Sequence, residues 1–443
     1  MISLNSELSR DDMNYFRLPM IKRISFPLKA ATIIVLAAFS GAEADQTVVS
    51  GGGTVRQEYD SNIHRTNRDH ISEWTTAFSP TLRFKDTTQQ HSVFFQYTPS
   101  VIYSDLAATE RWDHWLSGRY DMQVTERVSC YVRDTFVQAE DPYNDDEAGI
   151  VLSDSRGRKR YWTNNVAVGL DYDYAKQSFI KLSYVNLVLD NEEDVYDDYV
   201  KQIPGMSVAH LFGQHWQIQA DYSFTRGNFE QEADLENHSG DLYIYYQPSA
   251  ETKIFGHGGY TENKYVEVQQ NDYEIARASL GFERQVSSAA NFRVEGGVEF
   301  LLRDVLEDEK SFYYRMDLNK KMQQGSISLS GEGGIDEQQF DGTSEGDLSR
   351  YWQIETVISY TVTQYLLSSV SCSFREDRYW ELRPADKEEK LQAGASLSYS
   401  FGRWFVASVR YAFARQESDV AWRCYDDNRV FFELGFNKDF YRW

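Results

Sequence analysis

Nine ionisable residues, Arg277, Glu283, Arg293, Glu295, Glu299, Arg315, Asp317, Glu332 and Arg410, stand in segments where alternate residues are apolar. Burying lone charges of this kind is too costly, so their face is wet or internally paired. Two kinds of chemistry follow. Paired, the charges form a salt-bridge lattice that holds a wall; unpaired across a passage, they set up a field that sorts solutes by charge. A second acidic group, Glu140, Asp141, Asp145, Asp146 and Glu147, crowds the stretch AEDPYNDDEAG, where it would narrow a passage or bind a divalent cation. An ordinary solvated loop is the plainer reading of that stretch.

Catalytic patterns are sparse by comparison. The chain has eight histidines, and none stands in a metal-ligand spacing such as HExxH. His114 lies between Asp113 and Trp115, while His210, His215 and His257 fall in strands or turns. A serine–histidine pair brought together from distant strands is the remaining enzymatic option. GHGG at 256–259 and GEGG at 331–334 lack the lysine and the strand–loop–helix setting of a phosphate loop. Cys130, Cys372 and Cys424 show no CxxC spacing, leaving three separate thiols or one bridge such as Cys372–Cys424. The sequence calls for no catalytic residue, no metal and no cofactor. A net charge of -23 argues against nucleic acid as a partner.

The elements that carry the nine charges are strands. In NFRVEGGVEF, Phe292, Val294, Val298 and Phe300 share one face, and Arg293, Glu295 and Glu299 share the other. SFYYRMDLNK sets Phe312, Tyr314, Met316 and Leu318 against Tyr313, Arg315, Asp317 and Asn319. LQAGASLSYSF alternates in the same way. Short turns near Lys85–His91, Val124–Arg127, Tyr174–Gln177, Phe212–His215, Pro248–Glu251, Val286–Ala289, Met322–Gly325, Thr361–Gln364 and Phe401–Trp404 separate pairs of strands joined by longer, more acidic stretches. Nine short turns join eighteen strands, and one strand at each end makes twenty, with eighteen as the alternative count. Even parity puts both termini on one side.

Strand length and aromatic placement say what the apolar face touches. Soluble strands run about 5–6 residues, whereas a tilted membrane strand needs about 9–11, and many segments here exceed ten with their alternation intact. Tyrosine and phenylalanine near strand ends, as at Tyr399 and Phe401, suit interfacial girdles. The expected fold is therefore all-β: a single transmembrane antiparallel β-barrel with short periplasmic turns and longer acidic extracellular loops. A secreted sandwich or β-helix is the alternative. Residues 1–44 read as an extension and secretory signal, with Met20 read as the start, a positive region at Lys22, Arg23 and Lys29, an apolar run from Ala30 to Phe39, and a cleavage site at Ala42-Glu43-Ala44. The barrel then occupies 45–443. At the C-terminus, Val430, Phe432, Leu434, Phe436 and Phe440 share a phase that Tyr441 and Trp443 leave, so a bulge, or an end outside the strand, is expected after Phe440.

The opening segment VRQEYDSNIHRTNRDHISEWTTAFSPTLRF resembles the outer-membrane porin family labelled β-barrel porin 2. The likeness rests on Glu58-Tyr59-Asp60-Ser61-Asn62-Ile63, on Ser79-Pro80 and on FFQYTPSVIYSD at 94–105. The residue-level match is confined to this opening part, while the pattern extends over about residues 50 to 443. The acidic inserts at 139–149 and 190–199 depart from a plain family loop. The resemblance implies a porin-like barrel, and related barrels sit among exopolysaccharide export genes.

With cleavage after Ala44 few residues would precede the first strand, so no N-terminal plug is expected and an open or loop-constricted channel is the simplest function. Its expected place is the cell outer membrane, in contact with lipid, lipopolysaccharide, the barrel assembly machinery and small hydrophilic solutes. Assistance to exopolysaccharide export, a surface adhesin or structural barrel, and an outer-membrane lipase or protease are the alternatives. Solute identity and oligomeric state are not written in the chain.

Overall fold

The computed structural model describes residues 46–106, 110–140, 159–193, 198–230, 233–266, 272–303, 307–337, 348–379 and 387–442. Residues 1–44 and the acidic loop residues Asp141, Asp145, Asp146 and Glu147 lie outside these. The alternation resolves into twenty strands. They are β1 (Gln46–Asp60), β2 (Glu73–Thr87), β3 (His91–Ser104), β4 (Glu110–Thr125), β5 (Val128–Ala139), β6 (Tyr161–Ala175) and β7 (Ser178–Asn191). Then come β8 (Tyr199–Phe212), β9 (Trp216–Phe229), β10 (Asp234–Ser249), β11 (Thr252–Val266), β12 (Tyr273–Ser287), β13 (Ala290–Arg303) and β14 (Glu309–Met322). The last are β15 (Gly325–Glu337), β16 (Leu348–Thr363), β17 (Leu366–Tyr379), β18 (Lys387–Phe401), β19 (Phe405–Ser418) and β20 (Tyr425–Arg442). The count of twenty, not eighteen, is the one found.

Each strand pairs antiparallel with its sequence neighbours, and β20 pairs with β1, so the meander closes into a barrel. Strand lengths run from 12 to 18 residues, enough to cross a hydrocarbon layer with residues to spare. Tight turns at one end use left-handed backbone where the reversal demands it: Gly213 at φ 65 and Gly402 at φ 67 carry no Cβ to clash.

Pairing fixes one face for the whole ring. On the outer face Trp352, Ile354, Ile358 and Tyr360 of β16 place an aromatic near each end with aliphatics between, and all four are exposed. Trp74, Tyr103, Trp112 and Tyr260 extend the aromatic belt at the long-loop end, and Trp216, Tyr246, Tyr399 and Phe405 that at the short-turn end. The inner face carries the polar phase. Two buried apolar clusters lie near the long-loop end: one around Val137, Tyr161, Leu189 and Tyr199, the other around Tyr273, Ile275, Leu301, Ile335 and Leu348.

The N-terminal strand begins at Gln46, upstream of the first readable alternation. Gly51, Gly52 and Gly53 erase the period-two signal, yet they are what lets the barrel close. A Cβ on Gly51 would lie 2.3 Å from the Phe440 ring, and one on Gly52 would lie 2.2 Å from the Phe436 carbonyl. Opposite them the register slips between Val49↔Tyr441 and Ser50↔Asp439, leaving Phe440 as the extra residue of a β-bulge. Of the two endings expected for the C-terminus, the bulge is the one present, and β20 continues to Arg442.

The segment that carries the family resemblance turns out to be a closure latch. Ser61 N–H donates to the Asn428 carbonyl at 3.0 Å, and Asn428 N–H donates back to Ser61 Oγ at 2.7 Å. Fully buried Asn62 donates through Nδ2 to the Asp426 and Thr66 carbonyls. Arg429 pairs with Glu58 at 2.5 Å and with Asp60 at 3.6 Å. Ser79 and Pro80 mark a gap in the β2–β3 ladder, which resumes at Leu82↔Tyr97. Proline lacks the donor for a rung, and Ser79–Ser100 and Thr81–Thr98 hydroxyl contacts bridge the space instead.

Candidate lumenal site

The inner face of β12 to β15 is a checkerboard. Register sets Arg277 opposite Glu299, Glu283 opposite Arg293, Arg293 opposite Asp317, Glu295 opposite Arg315, and Arg315 opposite Glu332. Every one of these cross-strand neighbours is of opposite sign, the arrangement that stabilises a sheet where like charges would weaken it. The contacts are close. Arg277 Nε donates to Glu299 at 2.6 Å, Arg293 Nη2 to Glu295 at 3.0 Å, and Arg315 Nε to Asp317 at 2.9 Å. Glu332 accepts from Gln353 Nε2 at 2.6 Å. Eight of the nine residues singled out by phase thus sit in one patch of wall, and six of those eight are ion-paired within it.

Arg410 stands elsewhere. On β19, its guanidinium lies 4.1 Å from the centre of the inward-facing Phe431 ring, and no carboxylate of the described residues lies within ion-pair distance. Arg56 and Arg429 approach the same ring at 5.9 and 5.1 Å, but both are also bound to Glu58. Among the nine, Arg410 is the one cation with no ion partner among the described residues, as Glu283 and Glu332 are the carboxylates with none.

Glu140, the one described residue of the acidic group, is not a free constriction charge. Arg111 Nη1 donates to it at 2.7 Å, and Arg160 lies 3.8 Å away. Two arginines flanking one carboxylate at the strand ends hold it against the wall. The other four acidic residues fall outside the described part of the chain.

A cluster that the sequence reading passed over lies beside the checkerboard. His257 bridges two carboxylates, with Nδ1 2.8 Å from Glu295 and Nε2 2.8 Å from Asp241, and it stacks on Tyr243 at 4.2 Å between ring centres. Ser279 Oγ donates to Glu295 at 2.6 Å. The group superficially suggests a nucleophile and its base. Both imidazole nitrogens are already taken by carboxylates, however, and the serine proton points to Glu295, so no nitrogen is free to accept it. The cluster ties β10, β11 and β13 together. Its signal in sequence was weak but present: His257 shares the inward phase of Phe255 and Gly259, and that phase faces Asp241 and Glu295 only once the register is known.

Arg375 repeats the theme on β17, bound to Asp377 and to Asp336 two strands away. Its ring neighbour is Tyr351 at 4.4 Å. Beginning at Asp241, the inner wall offers two recesses, of about 440 and 920 Å³, that meet at Tyr131, Arg133 and Asp171. Register places Arg119 directly opposite Arg133 there. Arg119 is neutralised by Asp121, and Arg133 lies over the Tyr131 ring at 4.6 Å. All three cysteines are free, so the Cys372–Cys424 bridge is absent.

No family model matches the chain, and no curated protein matches it. Among solved structures, the outer membrane protein opdK from Pseudomonas aeruginosa is similar at 11% identity, covering 89% of this chain and 99% of its own, with a TM-score of 0.42. Acinetobacter baumannii OccAB4 is similar at 11% identity, covering 90% and 100%, with a TM-score of 0.43. Pseudomonas aeruginosa OccK2 (OpdF), solved in complex with glucuronate, is similar at 9% identity, covering 89% and 98%, with a TM-score of 0.44. A likeness this distant says nothing of cargo.

Proposed function

We propose that this protein is an outer-membrane channel for small hydrophilic solutes or ions, exported by the signal in residues 20–44. One observation carries the reading: a closed twenty-strand ring wears its apolar residues outside, between two aromatic belts, and its charges inside. A bilayer tolerates strands only when every backbone group is satisfied, which closure supplies. Barrels of 16–18 strands already enclose an aqueous channel, so this ring has the circumference for one. Selectivity falls to the charges that the wall does not neutralise, Arg410 first. The paired residues Arg277, Arg293, Glu295, Glu299, Arg315 and Asp317 support the wall and contribute little net field, while Glu283 and Glu332 add to the acidic side.

Purified protein in planar bilayers tests this directly. Stable, stepwise conductance is the expected result. A correctly folded sample that stays electrically silent would favour an adhesin or structural barrel and remove the channel.

A further inference from the structure

The wall is not equally stitched all the way round. Between β14 and β15 the ladder runs from Met322↔Gly325 up to Tyr314↔Gly333 and stops. Above that rung β14 continues to Glu309 paired only with β13, and β15 continues to Glu337 paired only with β16. Strands two apart in a sheet are ordinarily about 9–10 Å from each other, yet Cα atoms of β13 and β15 here come within 8 Å. The outer end of β14 has swung out of line, and its neighbours have closed in behind it.

Side chains bridge the break. Ile335 N–H donates to Glu299 Oε2 at 2.7 Å, and Glu299 is fully buried. Arg350 Nη2 of β16 reaches past β15 to the Lys310 carbonyl of β14 at 2.8 Å. An open sheet edge facing lipid is not tolerated unless its polar groups are satisfied in some other way, and these two contacts do that for one group on each side.

The outside of the break is apolar and smooth. Phe312, at its edge, is the most exposed large apolar residue of those described, at 78%. Below it the outward positions of β15 are Gly331 and Gly333, between Tyr314 and Met316 on one side and Trp352 and Ile354 on the other. A Cβ on Gly331 would meet only the Gln353 carbonyl, at 3.7 Å, and the Tyr314 ring lies across Gly333. The groove is one strand wide, the width of one hydrocarbon chain. Tyr314 and Trp352 set it at the outer aromatic belt, with exposed Lys310 and Arg350 above.

We infer that the β14–β15 break is a lateral gate, latched by Glu299 and Arg350, through which a single-chain amphiphile with a phosphate-bearing head passes between the outer leaflet and the lumen. This rests on the membrane placement proposed above. The chain follows the glycine groove, the head meets Lys310 and Arg350, and the way inward opens when the Glu299–Ile335 contact parts together with the packing of Ile335 and Leu348 against Leu301 and Ile275. Tyr314 is the side chain that must swing off Gly333.

The test uses Tyr314→Cys with Gly333→Cys, the last formed rung, in a chain with Cys130, Cys372 and Cys424 changed to serine. The protein is placed in vesicles holding trapped albumin, and fluorescent lysophosphatidylcholine, which crosses a bare bilayer slowly, is added outside. Reduced protein is expected to transfer the probe to albumin at least about tenfold faster than the oxidised, stapled form. Equal transfer in both redox states would overturn the gate. Ionic conductance of the same samples reports the channel separately: conductance without redox-sensitive transfer removes the gate alone, and silence in both states removes the channel. Where the double variant does not fold, Glu299→Gln serves. Losing a charged acceptor on a buried N–H is expected to speed Ile335 amide exchange about tenfold, and unchanged exchange would count against the latch.

Discussion

A guanidinium is worth what its surroundings leave uncancelled. Arg293 and Arg315 look like selectivity residues in sequence because they are charges on a polar face. In the wall each has a carboxylate at 3.0 Å or closer. Arg410 has an aromatic ring instead. A unit charge felt about 10 Å away through water amounts to roughly 0.4 kcal/mol, or about a twofold effect on permeability. Arg410→Ala is therefore expected to raise the cation-to-anion permeability ratio about fourfold, twofold up for the cation and twofold down for the anion, measured as a reversal potential across a salt gradient. Arg293→Gln should move it less, since its neighbours Glu283 and Glu295 then lose compensation near the wall and not in the open lumen. A larger effect from Arg293 would reverse this ranking. At this scale the sequence named the residues but could not weigh them, because partners on β12 to β15 are set by register and not by spacing.

At the level of elements, the joint between the first and last strands carries most. Glu58 and Asp60 of β1 and Arg429 of β20 are buried together. Breaking a buried pair by removing one partner leaves an uncompensated charge and costs about 3–5 kcal/mol. Arg429→Ala is accordingly expected to lower the unfolding midpoint in urea, while Arg378→Ala, whose guanidinium is exposed at 65% and paired only at the rim, should leave it nearly unchanged. Equal midpoints for the two variants would deny the latch its role. The strands themselves were largely legible, since period-two patterning over long segments placed most of their ends within a few residues. The exceptions share a cause. Where glycines fill β1 there is no alternation to read, and the residues that make closure possible are the ones that hide it.

Taken whole, the molecule is a closed ring, and closure should show itself as resistance to detergent. Unboiled protein is expected to migrate ahead of boiled protein in dodecyl sulfate gels, because a closed ring has no free edge strand from which to unzip. Coincident bands would sink the barrel itself. Alternation, turn rhythm and aromatic placement determined, without any coordinates, that this chain forms strands with one oily and one wet side and that an even number of them surrounds a polar interior. These properties are local, fixed by which side chain follows which. The tertiary structure alone decided the rest: which carboxylate faces which arginine, that His257 is spent between Asp241 and Glu295, that Ser61 and Asn62 join the ring's ends, and that the β14–β15 ladder stops above Tyr314. Register and curvature bring together residues far apart in the chain, and neither is encoded in the order of neighbours along a single strand.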